Sequence, residues 1–235
     1  MLLQEVFDYL TYGELSQFFA GGLEDGGVQS GSYPKIIHNI NMGLTELYKD
    51  LPLSTREVYL QLYDHIATYT LHSDYAESNV GSVQPYKYIL DSVYEPFIDN
   101  ILILDSVFNE AGEEYPINES GQTYSVFTPS YNTIQVPFAD SANTLSLVYR
   151  AAPTKVQIIG VNPATADVPI PPQLLPALIS YVAHKLHAAS NSVEEANLAG
   201  MFYNKYKQQV AEVKLLGLIQ TETAINNKFW SNGWR

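Results

Sequence analysis

The sequence predicts an α+β chain: a helical bundle made by the N- and C-terminal helices, an antiparallel β-domain inserted between them, and an extended C-terminal tail. Three observations predict it. Apolar residues recur at helical spacing near both ends, at Ile36, Ile40, Leu44, Leu47 and Leu51 and again at Leu175, Ile179, Val182, Leu186 and Ala189. Between these the period drops to two, with Val58, Leu60 and Leu62 alternating with Tyr59, Gln61 and Tyr63. After Gly217 the helical period stops, yet apolar residues continue. Terminal helices that must pack together around a block of strands give residues 1–51 and 170–217 as the helical body, 52–169 as the β-domain and 218–235 as the tail.

Taken in order, residues 2–20 read as helix in two pieces, broken near Thr11 to Gly13. The loop Gly21 to Gly31 is acidic and lacks lysine, so it reads as a linker rather than a phosphate cradle. Ser32 and Pro34 open the next helix and Pro52 ends it. Leu44 lies on that helix's apolar stripe and Asn41 flanks it, so Leu44→Asp and Asn41→Ala are expected to behave very differently. Strands are expected at Arg56–Tyr63, Ala67–Leu71, Ile101–Phe108, Thr123–Phe127, Thr133–Phe138, Thr144–Tyr149 and Lys155–Val161, with turns at Asn109–Gly112 and Asn118–Gly121. Ser73–Pro96 reads as a long excursion. Val168-Pro-Ile-Pro-Pro172 is an extended connector into the next helix. Ser192 and Glu195 have the spacing of a capping box. The last helix carries Ala199, Phe202, Tyr206, Val210, Val213 and Leu216 on one side and ends at Gly217.

Composition narrows the function classes. The 235 residues are 46% hydrophobic, enough for a proper core, but no run approaches the ~20 apolar residues of a membrane helix. Met1 to Leu10 carries Glu5 and Asp8 and no basic residue, unlike a secretory signal. With no cysteine, disulfides, thiolate metal sites and thiol nucleophiles are excluded. Net charge is −13, unsuited to gripping phosphates. From Ala183 to Arg235, however, six basic residues face four acidic ones, an end that prefers an acidic partner. The 18 tyrosines suit both interfaces and β-sheets.

No constellation carries chemistry. His184 and His187 are three apart on a helix, but no acid follows one turn on, and they read as polar helix-surface residues. Asp64-His65 lies in a sequence with no nucleophile elbow and reads as a hairpin turn. Glu113-Glu114 and Glu24-Asp25 sit beside glycines and read as solvated turns; Asn118-Glu-Ser120 matters only in a secreted eukaryotic chain. No catalytic, cofactor-binding or metal-ligating residue is assigned, and no cofactor is expected. The tail differs. Disordered ends are poor in aromatics, whereas this one holds Phe229, Trp230 and Trp234. Leu218, Ile225, Phe229, Trp230, Trp234 and Arg235 are the candidate docking residues, bound by a partner subunit or folded back on their own ring.

Several stretches together resemble the head-to-tail adaptor (connector) proteins of tailed bacteriophages. They are the helix Lys35–Leu51 closing with Leu44-Thr-Glu-Leu-Tyr-Lys-Asp-Leu-Pro-Leu53, the strand pair Arg56-Glu-Val-Tyr-Leu-Gln-Leu-Tyr63, and the paired helices 172–190 and 192–217 with Phe202-Tyr-Asn-Lys-Tyr-Lys207. The resemblance implies a non-enzymatic structural protein of the virion, assembled in the host cytoplasm. It implies a homo-oligomeric ring, a dodecamer, between the portal protein and a downstream tail or nozzle protein. DNA would pass through without specific binding, no membrane would be involved, and the C-terminal tail would extend along the portal. Some members of the family are linked to cell-wall hydrolysis, but no motif here carries that over. The alternatives are another virion ring protein (a tail-completion or stopper protein), a cell-wall polysaccharide hydrolase using loop carboxylates, and a monomeric β-rich binding module.

Overall fold

The computed structural model describes residues 1–13, 15, 28, 30–189 and 192–219. The fold is α+β, with four α-helices among the described residues and antiparallel sheets. These residues form two compact units. Among the described residues, one combines Met1–Leu53 with residues 153–219 and the other is Ser54–Ala152.

The first unit holds α1 (Leu3–Tyr12), α2 (Tyr33–Asp50), α3 (Leu175–Ala188) and α4 (Val193–Leu215). Helix α1 buries Leu3, Val6, Phe7 and Leu10, one helical stripe, and stops at Gly13. The second helical piece expected up to residue 20 and most of the Gly21–Gly31 loop lie outside the described residues. The five stripe residues from Ile36 to Leu51 are all fully or almost fully buried. Helix α3 is apolar on most sides because α1, α2 and α4 all pack against it. Gly43 lets α2 approach closely: a Cβ there would meet Leu178 Cδ1 at 2.7 Å and the Tyr181 ring at 3.0 Å. At the C-terminus of α4, Gly217 adopts φ +61°. Its N–H donates to the Lys214 carbonyl and the Leu218 N–H to that of Val213, so the last carbonyls are satisfied in a Schellman turn.

Four expectations are corrected in this unit. Lys155–Val161 is not a strand; the segment is irregular, with Val156 buried against the helical core and Ile159 exposed. The partner of Val156 is Asn41. The Asn41 Nδ2 donates to the Val156 carbonyl and its Oδ1 accepts the Val156 N–H, both at 2.9 Å, so the side-chain amide replaces a neighbouring strand. Asn41 is itself buried rather than a flanking surface residue. The capping box at Ser192 does not form: the Ser192 side chain makes no cap bond, and Glu195 turns to His187 Nδ1. Leu216 is 60% exposed, because the Schellman turn directs it away from the stripe that buries Tyr206, Val210 and Val213.

The second unit holds β1 (Thr55–Gln61), β2 (Thr68–Thr70), β3 (Ile89–Leu90), β4 (Ile101–Phe108), β5 (Glu114–Tyr115), β6 (Phe127–Ser130), β7 (Thr133–Gln135) and β8 (Thr144–Ala151). They form a five-stranded sheet, β3-β1-β8-β4-β5, and a three-stranded sheet, β2-β7-β6. The expected alternation holds in β1, with Val58 and Leu60 buried and Glu57 and Tyr59 exposed. In β4 it is broken by two register shifts against β8, between Ile101 and Ile103 and between Leu104 and Ser106. The strand expected at Thr123–Phe127 begins only at Phe127. Its first half is a turn held by Ser125, whose hydroxyl donates to the Pro116 carbonyl. Pro129 is tolerated because β6 is an edge strand. The long excursion from Ser73 contains a short 3₁₀ turn and β3, and is pinned by Asp91, which accepts the N–H groups of Ser78 and Phe97 at 2.8 Å each.

Candidate docking surfaces

His184 and His187 hold α3 against α4. His187 is buried, lies parallel to the Phe202 ring at 5.1 Å and meets Glu195 across the α3–α4 turn. His184 Nδ1 bonds the Ala199 carbonyl at 2.9 Å, and its ring tilts against Tyr203. Both thus lie against α4 rather than on an open helix surface, which corrects the sequence expectation. The spacing of three residues could be read from the sequence, but not the helix waiting opposite. No group of three or more His, Asp or Glu side chains able to hold a metal occurs among the described residues.

Of the acids expected in turns, Asp64 and Glu113 lie in turns, whereas Glu114 opens strand β5 and pairs with Phe108. Asp64 and His65 cap a tight turn closed by a Tyr63–Ile66 bridge, and Asp64 Oδ1 accepts the Ser141 N–H at 2.6 Å. That hydrogen bond holds the Asp64 carboxyl below its ordinary range. Glu113 accepts from Asn109 Nδ2 at 3.0 Å in the β4–β5 hairpin, where Gly112 takes φ +78°. Glu24-Asp25 lies outside the described residues.

The second unit has a cleft of about 230 Å³ lined by Arg56, Val58, Tyr59, Leu90, Pro96, Phe97 and Tyr149, with Glu57, Asp91 and Glu95 at its walls. Polysaccharide hydrolysis needs one carboxyl there raised by an apolar pocket. Asp91 goes the other way. Burial pushes its carboxyl up, but hydrogen bonds from Ser78 and the Phe97 amide outweigh this and hold it low. Glu57 accepts the Ser146 hydroxyl. Burial raises the Tyr149 hydroxyl, which donates to Asn100 at 3.3 Å.

Two surface features suit macromolecular contact. At the root of the tail Leu215, Leu216 and Leu218 are exposed together, 87%, 60% and 50%. Single exposed leucines are ordinary, but a contiguous group marks a contact surface. Of the predicted docking residues only Leu218 is described; Ile225, Phe229, Trp230, Trp234 and Arg235 lie outside the described residues. Ile219, just before the undescribed stretch, still packs on the helical core. The second feature is charge: Ser54–Ala152 carries 13 acidic and 3 basic residues. The residue counts of the sequence contain this concentration, and the division into two units assigns it to the β-rich one. The tyrosines divide. Tyr69, Tyr88 and Tyr149 are buried, with Tyr88 holding Thr70 through both its N–H and its carbonyl, while Tyr94, Tyr124 and Tyr131 are exposed.

No helix among the described residues is long and apolar enough to cross a membrane. No curated protein matches the chain. A family described as SU10 adaptor protein matches residues 10–227, from the end of α1 through both units, and stops short of Phe229, Trp230, Trp234 and Arg235. The chain belongs to the SU10 adaptor protein family, in agreement with its resemblance to phage head-to-tail adaptors.

Proposed function

We propose that this protein forms a homo-oligomeric ring of twelve copies between the portal and the tail of the virion, extends the DNA conduit and joins head to tail. The observation that carries the reading is the adaptor-family match over residues 10–227. In this reading the helical unit stacks under the portal and the β-rich unit meets the downstream tail or nozzle protein. The excess of acidic residues in the β-rich unit suits a conduit, since a negative wall does not hold passing DNA. The protein works without turnover, cofactor or metal. One cleft carboxylate is in keeping with this: hydrogen bonds hold Asp91 low, the opposite of the raised general acid that hydrolysis needs.

Attachment to the neighbouring ring is assigned to Leu218, Ile225, Phe229, Trp230, Trp234 and Arg235. The exposed leucines at the end of α4 supply a starting surface. Each tail aromatic, fully covered, contributes roughly 1.5–3 kcal/mol. Lys228 and Arg235 against Glu222 make the tail slightly basic, so an acidic groove complements it. A tail that orders only on docking meets its ordering cost when the partner is present, which keeps free subunits from assembling early. The test is a chain cut after Ile219, chosen because Ile219 still packs on the helical core. The expected result is an unchanged melting curve with attachment to portal-filled heads lost. Normal attachment at normal stability would place the main contact on the described body instead.

A further inference from the structure

The five-stranded sheet has an incomplete edge. Strand β3 pairs with β1 only at Tyr59–Leu90 and Leu60–Ile89, while β1 continues back to Thr55. On that side the Gln61 N–H reaches the Tyr88 carbonyl at 2.8 Å, so odd-numbered residues of β1 turn their backbone groups toward this edge. Thr55 and Glu57 therefore present N–H and C=O groups where, among the described residues, no strand runs beside them. The chain is drawn away after Leu90 by Asp91, which anchors the Ser78 and Phe97 amides. The cleft described above opens at that place, between Arg56–Tyr59 and Leu90–Phe97. An open edge beside a cleft whose walls carry both apolar and acidic side chains is a template for an added strand.

The chain's own C-terminal segment has the matching sequence. Thr221, Thr223 and Ile225 are β-branched and alternate with Gln220, Glu222 and Ala224. Lys228 follows, and the unit that would receive it carries 13 acidic residues against 3 basic ones. We propose that residues 221–225 of one copy add as a strand to the Thr55–Glu57 edge of a neighbouring copy. Phe229 to Arg235 then remain for the next ring, so one tail links its own ring and reaches beyond it. This inference rests on the ring reading above, because it requires neighbouring copies.

The chain contains no cysteine, so introduced pairs report contacts without background. Thr55→Cys is combined, in the full chain, with Thr221→Cys, Glu222→Cys, Thr223→Cys, Ala224→Cys or Ile225→Cys. Assembled particles are oxidised and run on non-reducing gels. Adjacent strands bring paired Cα atoms to about 4.5–5.5 Å, within disulfide range. The expected result is a ladder of linked chains, strong at the one tail position that stands opposite Thr55 and weak at the positions on either side of it. Adding a proline two residues before the tail cysteine that links best should cut the ladder about five-fold or more, since proline removes a donor from the added strand. Equal linking at all five positions, only monomer-sized product, or no more ladder than a control pairing Val80→Cys with the same tail positions would overturn the proposal. If the chain cut after Ile219 also fails to join heads, absence of the ladder removes this inference and leaves the adaptor reading standing.

Discussion

Asn41 and Asp91 are side chains that do the work of backbone. Asn41 supplies Val156 with the donor and acceptor a neighbouring strand would have given, across 115 residues of sequence. Asn41→Ala strands both groups of Val156 in a buried site, so a loss of about 2–4 kcal/mol is expected in urea unfolding. Leu44→Asp buries an unpaired carboxylate at a fully covered position and should cost more than about 4 kcal/mol, giving no folded protein at 37 °C. The sequence shows that Leu44 is apolar and in phase; it cannot show what Asn41 touches, because that partner lies in a different segment. The same holds for His187, whose ring rests on Phe202, and for Glu195, which meets His187 instead of capping its own helix. Asp91 gives a pH dependence. Its folded-state carboxyl is held below the usual ~3.9, so its contribution is full above that value and is lost as pH falls through the lower folded value. Asp91→Asn should therefore lower the urea midpoint at pH 7, and the gap from the unmutated chain should narrow at pH 3.

At the scale of elements, two helical glycines have opposite roles. Gly43 sits where α2 approaches α3, and a methyl group there meets Leu178 and Tyr181 closer than carbon atoms pack. Gly43→Ala gains about 1 kcal/mol of helix propensity but loses more to overpacking, for a net loss of about 1–2 kcal/mol. Gly200 in α4 has nothing within 4 Å of its missing Cβ, so Gly200→Ala should stabilise by up to about 1 kcal/mol. Thermal unfolding of the two variants should therefore shift in opposite directions. Long elements with one period were legible: α2, α3, α4, β1 and the full span of β4 all lie where the apolar pattern puts them. The short strands were less so. β3 and β5 have two residues each, too few for any alternation, and β6 contains a proline that its edge position excuses. Lys155–Val161 has strand-like composition, but only Val156 is buried, with Val161 packed on the edge of the same core, and a side-chain amide takes the place of a strand partner.

At the scale of the whole molecule, the charge is unevenly placed. The β-rich unit holds 13 of the 25 acidic residues and only 3 of the 12 basic ones, whereas the C-terminal segment from Ala183 is slightly basic. The family was legible from the order of elements and a few hydrophobic patterns, because helices set around a strand block survive in the apolar period alone. The proposed docking site is legible only as a composition, a tail with two tryptophans and a phenylalanine beyond the last helical turn. Contacts with other subunits leave no periodic mark in one chain, since their geometry is set by the partner. The most direct measurement of the central claim is an electron-microscopic image of assembled particles in which this chain carries a small added tag. A band of tag density encircling the neck, between portal and tail, is the predicted result. Tag density spread over the capsid shell, confined to fibres, or absent from the particle would contradict the adaptor account.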